Sequence, residues 1–326
     1  MQITAVSPRA LAAAPSGQLR VGQFNVENFF DTVDDPHRRD TVTSPAAYQV
    51  KLQKLALAVR DQMGAPDVVT LEEVEGQQVL DDLLLRPELA GLGYRSIVMQ
   101  GNDLRGINVA MLYRAGTISI TKAAQANMQA VLPGFRGAAL PNPGDQVDPA
   151  LLFARPPLVV DAVFHAPGQD AAAGQSLTFI INHFKSKMGG PINDARREQQ
   201  AAFVAGLVDA RTAADPGARV LVTGDLNTGE HETAFANLAR HADGSTRLTS
   251  ATAGLAEADR YSWGKTPSAR ELFDHILLTG SMQSALTGAA ILHINTSKEG
   301  RGKASDPSTG LGVSDHDPIV ATFLLK

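Results

Sequence analysis

The chain has 326 residues, a formal net charge of −5 and no cysteine. That length buries a large core, as one big α/β domain or two ordinary ones, and a 44% apolar content with moderate charge excludes a disordered or fibrous chain. Thiol catalysis, thiolate metal sites and disulfides are excluded, no apolar run is long enough for a membrane span, and any basic nucleic-acid surface must be a local patch.

Residues 1–18, rich in Ala, Ser and Pro, read as a disordered lead-in. The Ala run at 10–14 has the character of a signal-cleavage region, although Ser7, Pro8 and Arg9 interrupt the apolar segment that should precede it. Export to the periplasm or the medium is the expectation, with no complete signal peptide in the chain. Residues 19–25 alternate as a strand ending at Asn25. Within 41–61 a helix is signalled by Ser44 as N-cap, Pro45 at the first helical position and Gly64 as a stop. Its Tyr48, Leu52, Leu55, Val59 and Met63 share one face and should cover a sheet.

Residues 67–71 form a short apolar strand whose end is crowded by Glu72, Glu73 and Glu75. Three acids so close are costly unless solvated or paired with a cation. A short helix is expected at 77–89, then hairpin strands at 95–100, 107–114 and 117–121, so the sheets should be mixed. Residues 133–157 read as a Pro/Gly-rich surface connection. Strands at 157–164 and 177–182 follow, the second running into His183, then a helix at 194–213. The run V-L-V-T at 220–223 breaks at Gly224 and leads to Asp225 and Asn227, a carboxylate and a carboxamide that suit a hard cation or a phosphate oxygen. An Asx-rich turn closing a buried strand is the plainer reading of the same residues. Another apolar strand at 273–279 carries Asp274 and His275, residues 298–312 look like a mobile Gly/Ser-rich loop, and Asp315 and His316 precede a final strand at 319–325. With no repeat and no linker, residues 19–326 read as a single domain.

Asn25, Glu73, His183, Asp225, Asn227, Asp274, Asp315 and His316 all stand where an apolar run meets a loop. Each alone has an ordinary structural explanation; together they fit a site at one rim of a sheet. The segments F-N-V-E-N at 24–28, L-E-E-V-E at 71–75, N-H-F-K-S-K at 182–187, G-D-L-N at 224–227, F-D-H-I-L at 273–277 and S-D-H-D-P-I at 314–319 occur in that order. As a set they closely resemble the endonuclease/exonuclease/phosphatase superfamily of pancreatic deoxyribonuclease, abasic-site endonucleases and neutral sphingomyelinases. With D-T-V-D-D-P at 31–36 and R-G-I-N-V-A at 105–110, the chain looks most like bacterial extracellular nucleases.

The resemblance, over residues 20 to 325, implies a four-layer α/β/β/α sandwich, two mixed sheets face to face with helices outside. It implies that Glu73 is the principal ligand of Mg²⁺ or Mn²⁺, assisted by Asn25 and Asp315, with Ca²⁺ as an auxiliary or structural ion. Glu72 stands where the family often has glutamine. Asp225 would orient the attacking water or hold a second metal, Asn227 would bind a phosphate oxygen, and His316, held by Asp274, would be the general base. His183 would stabilise the transition-state phosphate or protonate the leaving oxygen, although the acid that partners this histidine in the family has no match near Asn108. Arg105, Arg155, Lys185, Lys187 and Arg197 are the candidate phosphate contacts, Arg155 resembling the Arg-x-Pro arginine of the deoxyribonucleases.

The expected activity is sequence-nonspecific DNA endonuclease. The alternatives are a phosphodiesterase or phosphatase acting on lipid head groups or small phosphoesters, and a binding protein that has kept the fold without catalysis. DNA is the expected partner, with no stable membrane insertion and no protein partner implied.

Overall fold

The computed structural model describes residues 8–133, 148, 150–188 and 190–325. Its strands form two six-stranded sheets built on one plan. In the first, β1 (Leu19–Phe29) lies parallel to β2 (Val68–Val74). That pair is flanked by β12 (Ile319–Phe323) and β11 (Leu286–Ile291) on one side, and by β4 (Asn108–Arg114) and β3 (Tyr94–Val98) on the other, all antiparallel. In the second, β7 (Gln175–His183) lies parallel to β8 (Val220–Asp225). Its flanks are β6 (Leu158–Phe164) with β5 (Ile118–Gln125), and β10 (Asp274–Leu278) with the two-residue β9 (Thr249–Ser250). Mixed sheets, as expected, result.

Three apolar layers hold the sandwich. Leu19, Val21, Val68, Leu158, Val160, Phe179 and Leu221 fill the space between the sheets. Helices α1 (Pro45–Leu57) and α2 (Gln77–Leu84) cover the first sheet through Tyr48, Leu52, Leu55, Val79 and Leu83, which pack on Phe24, Val69 and Leu71. Helices α3 (Pro191–Ala214) and α4 (Thr233–Ala239) cover the second through Val204, Val208 and Leu238 on Ile180 and Val222. Burying such side chains contributes about 1.5–3 kcal/mol each, so the alternation of each strand decides which face is inside.

Ser44 caps α1 by accepting from Ala47 N at 3.3 Å, and a π-helical turn at Ala58–Gln62 extends it. The rest of the structure departs from expectation in the lead-in, the 133–157 connection, the 298–312 loop and three short elements. The lead-in is described from residue 8, where Arg9 N donates to Leu292 O at 2.7 Å and Leu11 N to Gln62 O at 2.9 Å. Of the connection at 133–157, residues 134–147 and 149 lie outside the described residues, and Leu152, Phe153 and Arg155 are buried, not at the surface. The loop at 298–312 opens with a short helix, α6 (Lys298–Gly302), and its backbone is held by Lys54. Strand β11 and helices α4 and α5 (Gly280–Ala285) carry no strong sequence signal and were not expected.

Candidate active site

Strand direction explains why distant residues meet. The carboxyl ends of the two parallel pairs carry Asn25, Glu73, His183 and Asp225, and the amino ends of the antiparallel neighbours β10 and β12 carry Asp274 and, just ahead of β12, Asp315 and His316. Ends of opposite sense on antiparallel neighbours lie at the same sheet edge.

Glu73 reaches this edge through a break in regular structure. Asn25 pairs with Glu72, after which the register jumps to Phe29–Val74. In this bulge Glu27, Asn28 and Glu73 have left-handed backbone (φ 54°, 46° and 64°), a conformation that non-glycine residues keep only where surroundings enforce it. The bulge separates two adjacent glutamates. Glu72 is fully buried, its Oε2 receiving Gln23 Nε2 at 2.7 Å. Glu73 turns to the rim, where its Oε2 accepts from Asn28 N at 2.8 Å and its Oε1 faces Asn25 Nδ2 at 3.4 Å.

Asp225 is the centre of the site. Its Oδ1 accepts from Asn227 N at 2.9 Å, the Asx turn of the plainer reading. Its Oδ2 accepts from Asn25 Nδ2 at 3.0 Å and stands 3.6 Å from His183 Nε2 and 3.8 Å from His316 Nε2. Turn and site are therefore the same carboxylate. Gly224 makes the approach of β8 to β7 achievable, since a Cβ there would lie 1.9 Å from Asn182 O. Asn25, expected to assist a cation directly or through water, accepts from Glu27 N on Oδ1 at 3.0 Å and bridges the carboxylates of Glu73 and Asp225 with its nitrogen.

His316 Nδ1 lies 2.7 Å from Asp274 Oδ2, and Gln23 Nε2 holds the other oxygen of Asp274 at 2.8 Å. Burial alone would lower the affinity of His316 for its proton, but Asp274, Asp225 and Asp315 outweigh it and hold its pKa well above the ordinary value. Burial pushes Asp225 up to about 7, with Asp274 adding to the rise and His316 opposing it. His183 behaves oppositely: burial, with Arg155, Arg105 and His316 nearby, holds it well below the usual imidazole range. It is neutral at pH 7, so its approaches to Asp225 and to Glu73 (4.0 Å) are not ion pairs. Its Nδ1 has no hydrogen-bond partner, and Asn108 is occupied elsewhere, with Gly101 N, Glu75 O and Gly106 O. Among the described residues no acid bonds Nδ1 of this imidazole.

Glu72 is kept protonated by burial, with Asp274 and Asp225 raising its pKa further. A neutral carboxyl has the shape and charge of a carboxamide, which accounts for glutamate at this position. The unfolded chain ionises Glu72 near its ordinary value and the folded chain only at higher pH, so the unfolded state binds fewer protons between the two and stability falls as pH rises. Glu72→Gln should therefore be more stable than the parent at pH 8, lose that advantage at pH 4, and hydrolyse phosphodiesters at a comparable rate; urea denaturation at both pH values checks it.

The candidate phosphate contacts divide. Arg155, buried, pairs with Asp103 and donates to Phe184 O at 3.2 Å. Arg197 donates to Lys185 O at 3.0 Å and Ser186 O at 2.8 Å and pairs with Asp194. Both guanidiniums therefore shape the backbone after His183. Lys187 pairs with Glu232, the Lys185 side chain is buried with its amide donating to Gln200 Oε1, and Arg105 is partly exposed beside Asp103 at 3.5 Å. Asn227, left-handed at φ 47°, donates one amide proton to Phe184 O at 3.3 Å.

Sequence reading missed four residues that build the site. Trp263 Nε1 donates to Asp315 Oδ2 at 3.2 Å, and its backbone bridges His316. Ser262 Oγ accepts the amides of Phe273 and Asp274, Gln23 holds Asp274, and Asp103 holds Arg155. Only Trp263, the single tryptophan of the chain, offered a signal.

Asp225, Asp274 and His316 present ligand atoms within 4.8 Å of one another, and Glu73 lies across His183 from Asp225. The carboxylate-rich donor set, its charge only partly balanced, fits a hard divalent cation. The model of the Endonuclease/Exonuclease/phosphatase family matches residues 20–136 and 156–285, most of the chain. The chain belongs to that family. Endonuclease/Exonuclease/phosphatase proteins are metal-dependent phosphodiesterases and nucleases, and this one is a hydrolase of that kind. The matched ranges stop before the 314–319 segment, so His316 and Asp315 enter on geometry and motif. The fold is shared with humanized D. rerio TDP2 (17% identity, 94% of this chain, 99% of that one, TM-score 0.60). It is shared too with the human Nocturnin catalytic domain with bound sulfate anion (16%, 95%, 95%, 0.59) and an Endonuclease/Exonuclease/phosphatase family protein of Bacteroides thetaiotaomicron (15%, 95%, 95%, 0.57). No curated protein sequence matches significantly. No described helix is long and apolar enough to cross a membrane.

Proposed function

We propose that the protein is a sequence-nonspecific DNA endonuclease of the bacterial extracellular kind, exported from the cell, using Mg²⁺ or Mn²⁺. The observation that carries this reading is the His316–Asp274 pair at 2.7 Å, with His316 Nε2 aimed at the Asp225 carboxylate beside Glu73 and the neutral His183. Glu73 and Asp225, with Asp315 assisting, would hold a divalent ion, which would supply Lewis-acid neutralisation of charge on the phosphoryl and leaving oxygens. Asp225 orients a water, and His316 Nε2, in the neutral form that its raised pKa confines to higher pH, takes its proton while Asp274 fixes the tautomer and stabilises the imidazolium. His183, neutral, donates to a phosphoryl oxygen, and Asn227 does the same with its second amide proton.

The fold shared with D. rerio TDP2 complexed with single strand DNA product (18% identity, TM-score 0.58) supports a nucleic acid as substrate. A panel of plasmid duplex, single strand, RNA, sphingomyelin and bis-p-nitrophenyl phosphate, assayed across divalent ions, tests the reading. Plasmid nicking with Mg²⁺ or Mn²⁺ is expected, falling about tenfold or more between 50 and 200 mM salt because phosphate contacts dominate binding. Hydrolysis of sphingomyelin or small phosphoesters with intact plasmid would instead support the lipid or small-molecule alternative.

A further inference from the structure

Helix α1 carries Lys51 and Lys54, three residues apart and on one side. Lys54 is buried, and its ammonium sits among four backbone carbonyls: Lys303 O at 2.9 Å, Asp306 O at 2.9 Å, Thr309 O at 3.0 Å and Leu311 O at 2.6 Å. Three protons serve four acceptors, so the loop solvates the ammonium as a carbonyl cage solvates a monovalent ion. The loop also lies directly on the helix: a Cβ at Gly310 would stand 2.5 Å from Ala58 N, where the π-helical turn begins. Lys51 Nζ donates to Val313 O at 2.6 Å and Glu27 O at 3.0 Å, and its charge acts on Glu27, Glu73 and Asp315. Val313 is two residues from Asp315, and Glu27 two from Asn25. Ser314 Oγ, donating to Asn25 O at 2.7 Å, completes the seam.

We propose that Lys51 and Lys54 are positioning residues: a buried and a partly exposed cation that together bind six backbone carbonyls and lock the 303–313 loop onto α1 and the end of β1, so that Asp315 and His316 meet Asn25 and Asp225. The role in catalysis rests on the reading of that site given under Proposed function; the role in holding the loop does not. A mobile loop of this Gly/Ser-rich composition would loosen the approach to His316 from its 303–313 side, leaving the Trp263 bridge and the Asn295 bond to His316 O to hold the segment. Without Lys54, Lys303 O keeps the amide of Asp306 at 3.0 Å, but Asp306 O, Thr309 O and Leu311 O lose the donor that Lys54 supplies, and the loop must open to water to satisfy them.

The test uses Lys51→Met, Lys51→Arg and Lys54→Met in the full chain. Hydrogen exchange at the amides of 303–316 and Mn²⁺ binding by electron paramagnetic resonance are followed with kcat and KM on bis-p-nitrophenyl phosphate. Both methionine variants should speed exchange across 303–316 with sheet amides unchanged, and weaken Mn²⁺ binding or lower kcat by about 10–100-fold with KM nearly constant, as groups behind a metal site do. Lys51→Arg, which keeps the charge, should recover most of the loss. Should Lys54→Met fail to fold, the partly exposed Lys51 variants carry the same comparison. Parent-like exchange and Mn²⁺ affinity in folded methionine variants would overturn the proposal. Faster exchange in the variants of a parent that hydrolyses no phosphodiester would leave the lock standing and remove the proposed function instead.

Discussion

Replacing His316 by alanine lowers kcat for phosphodiester hydrolysis by about 10²–10⁴-fold, the contribution of a positioned general base, with KM little changed. His316 Nε2 is the imidazole nitrogen facing Asp225 whose partner nitrogen is tied to a carboxylate, Asp274 Oδ2 at 2.7 Å. The fold should survive, because Asp274 keeps Gln23 Nε2 at 2.8 Å and the amide of Asp274 stays on Ser262 Oγ at 3.1 Å. His316→Asn, which preserves a donor toward Asp274, controls for any loss of stability. Circular dichroism and thermal unfolding of both variants accompany the rate measurements. A folded His316→Ala protein that hydrolyses as fast as its parent would end the mechanism.

Glu73→Ala raises the Mn²⁺ concentration needed for half-maximal activity by about a hundredfold or more, since a hard cation loses a carboxylate that no neighbour replaces. Glu72, one residue away, is separated from the rim by the bulge and held neutral between the sheets. Asn25 presents its nitrogen to the site, and Asp315 is tied to Trp263. Direct Mn²⁺ binding by the variant should weaken in parallel with activity. Unchanged binding would place the cation on Asp225, Asp274 and His316, whose ligand atoms already lie within 4.8 Å of one another. The contrast between Glu73→Ala and Glu72→Gln is sharp because one residue of register decides which glutamate meets solvent.

How much of this was legible before folding varies by residue. Ser44, Pro45 and the face Tyr48–Leu52–Leu55–Val59 announce α1 because capping and periodicity are local, and the structure has that helix. The apolar runs announce β2, β7 and β8 in the same way, although the sequence boundaries stop short of the glutamates and of Asp225, which continue the strands. Strand β11, L-T-G-A-A-I, has no clear alternation, and its pairing with β12 supplies what its own residues do not. Lys298–Gly312 looked mobile because composition reports only on backbone freedom, and the partner that removes that freedom, Lys54, is some 250 residues away in the chain.

The chain's own order of residues determined the α/β class, the mixed sheets and the motif set Asn25, Glu73, His183, Asp225, Asn227, Asp274, Asp315 and His316, since strand ends, caps and polar junctions are written in short range. Only the tertiary structure decided that Glu72 is neutral and inward, that Arg155 and Arg197 bind backbone carbonyls, and that Asn25 bridges two carboxylates through its nitrogen. Protonation and partner choice depend on what the opposite sheet and the crossing loops bring within a few ångströms, and that distance is set by packing, not by sequence separation.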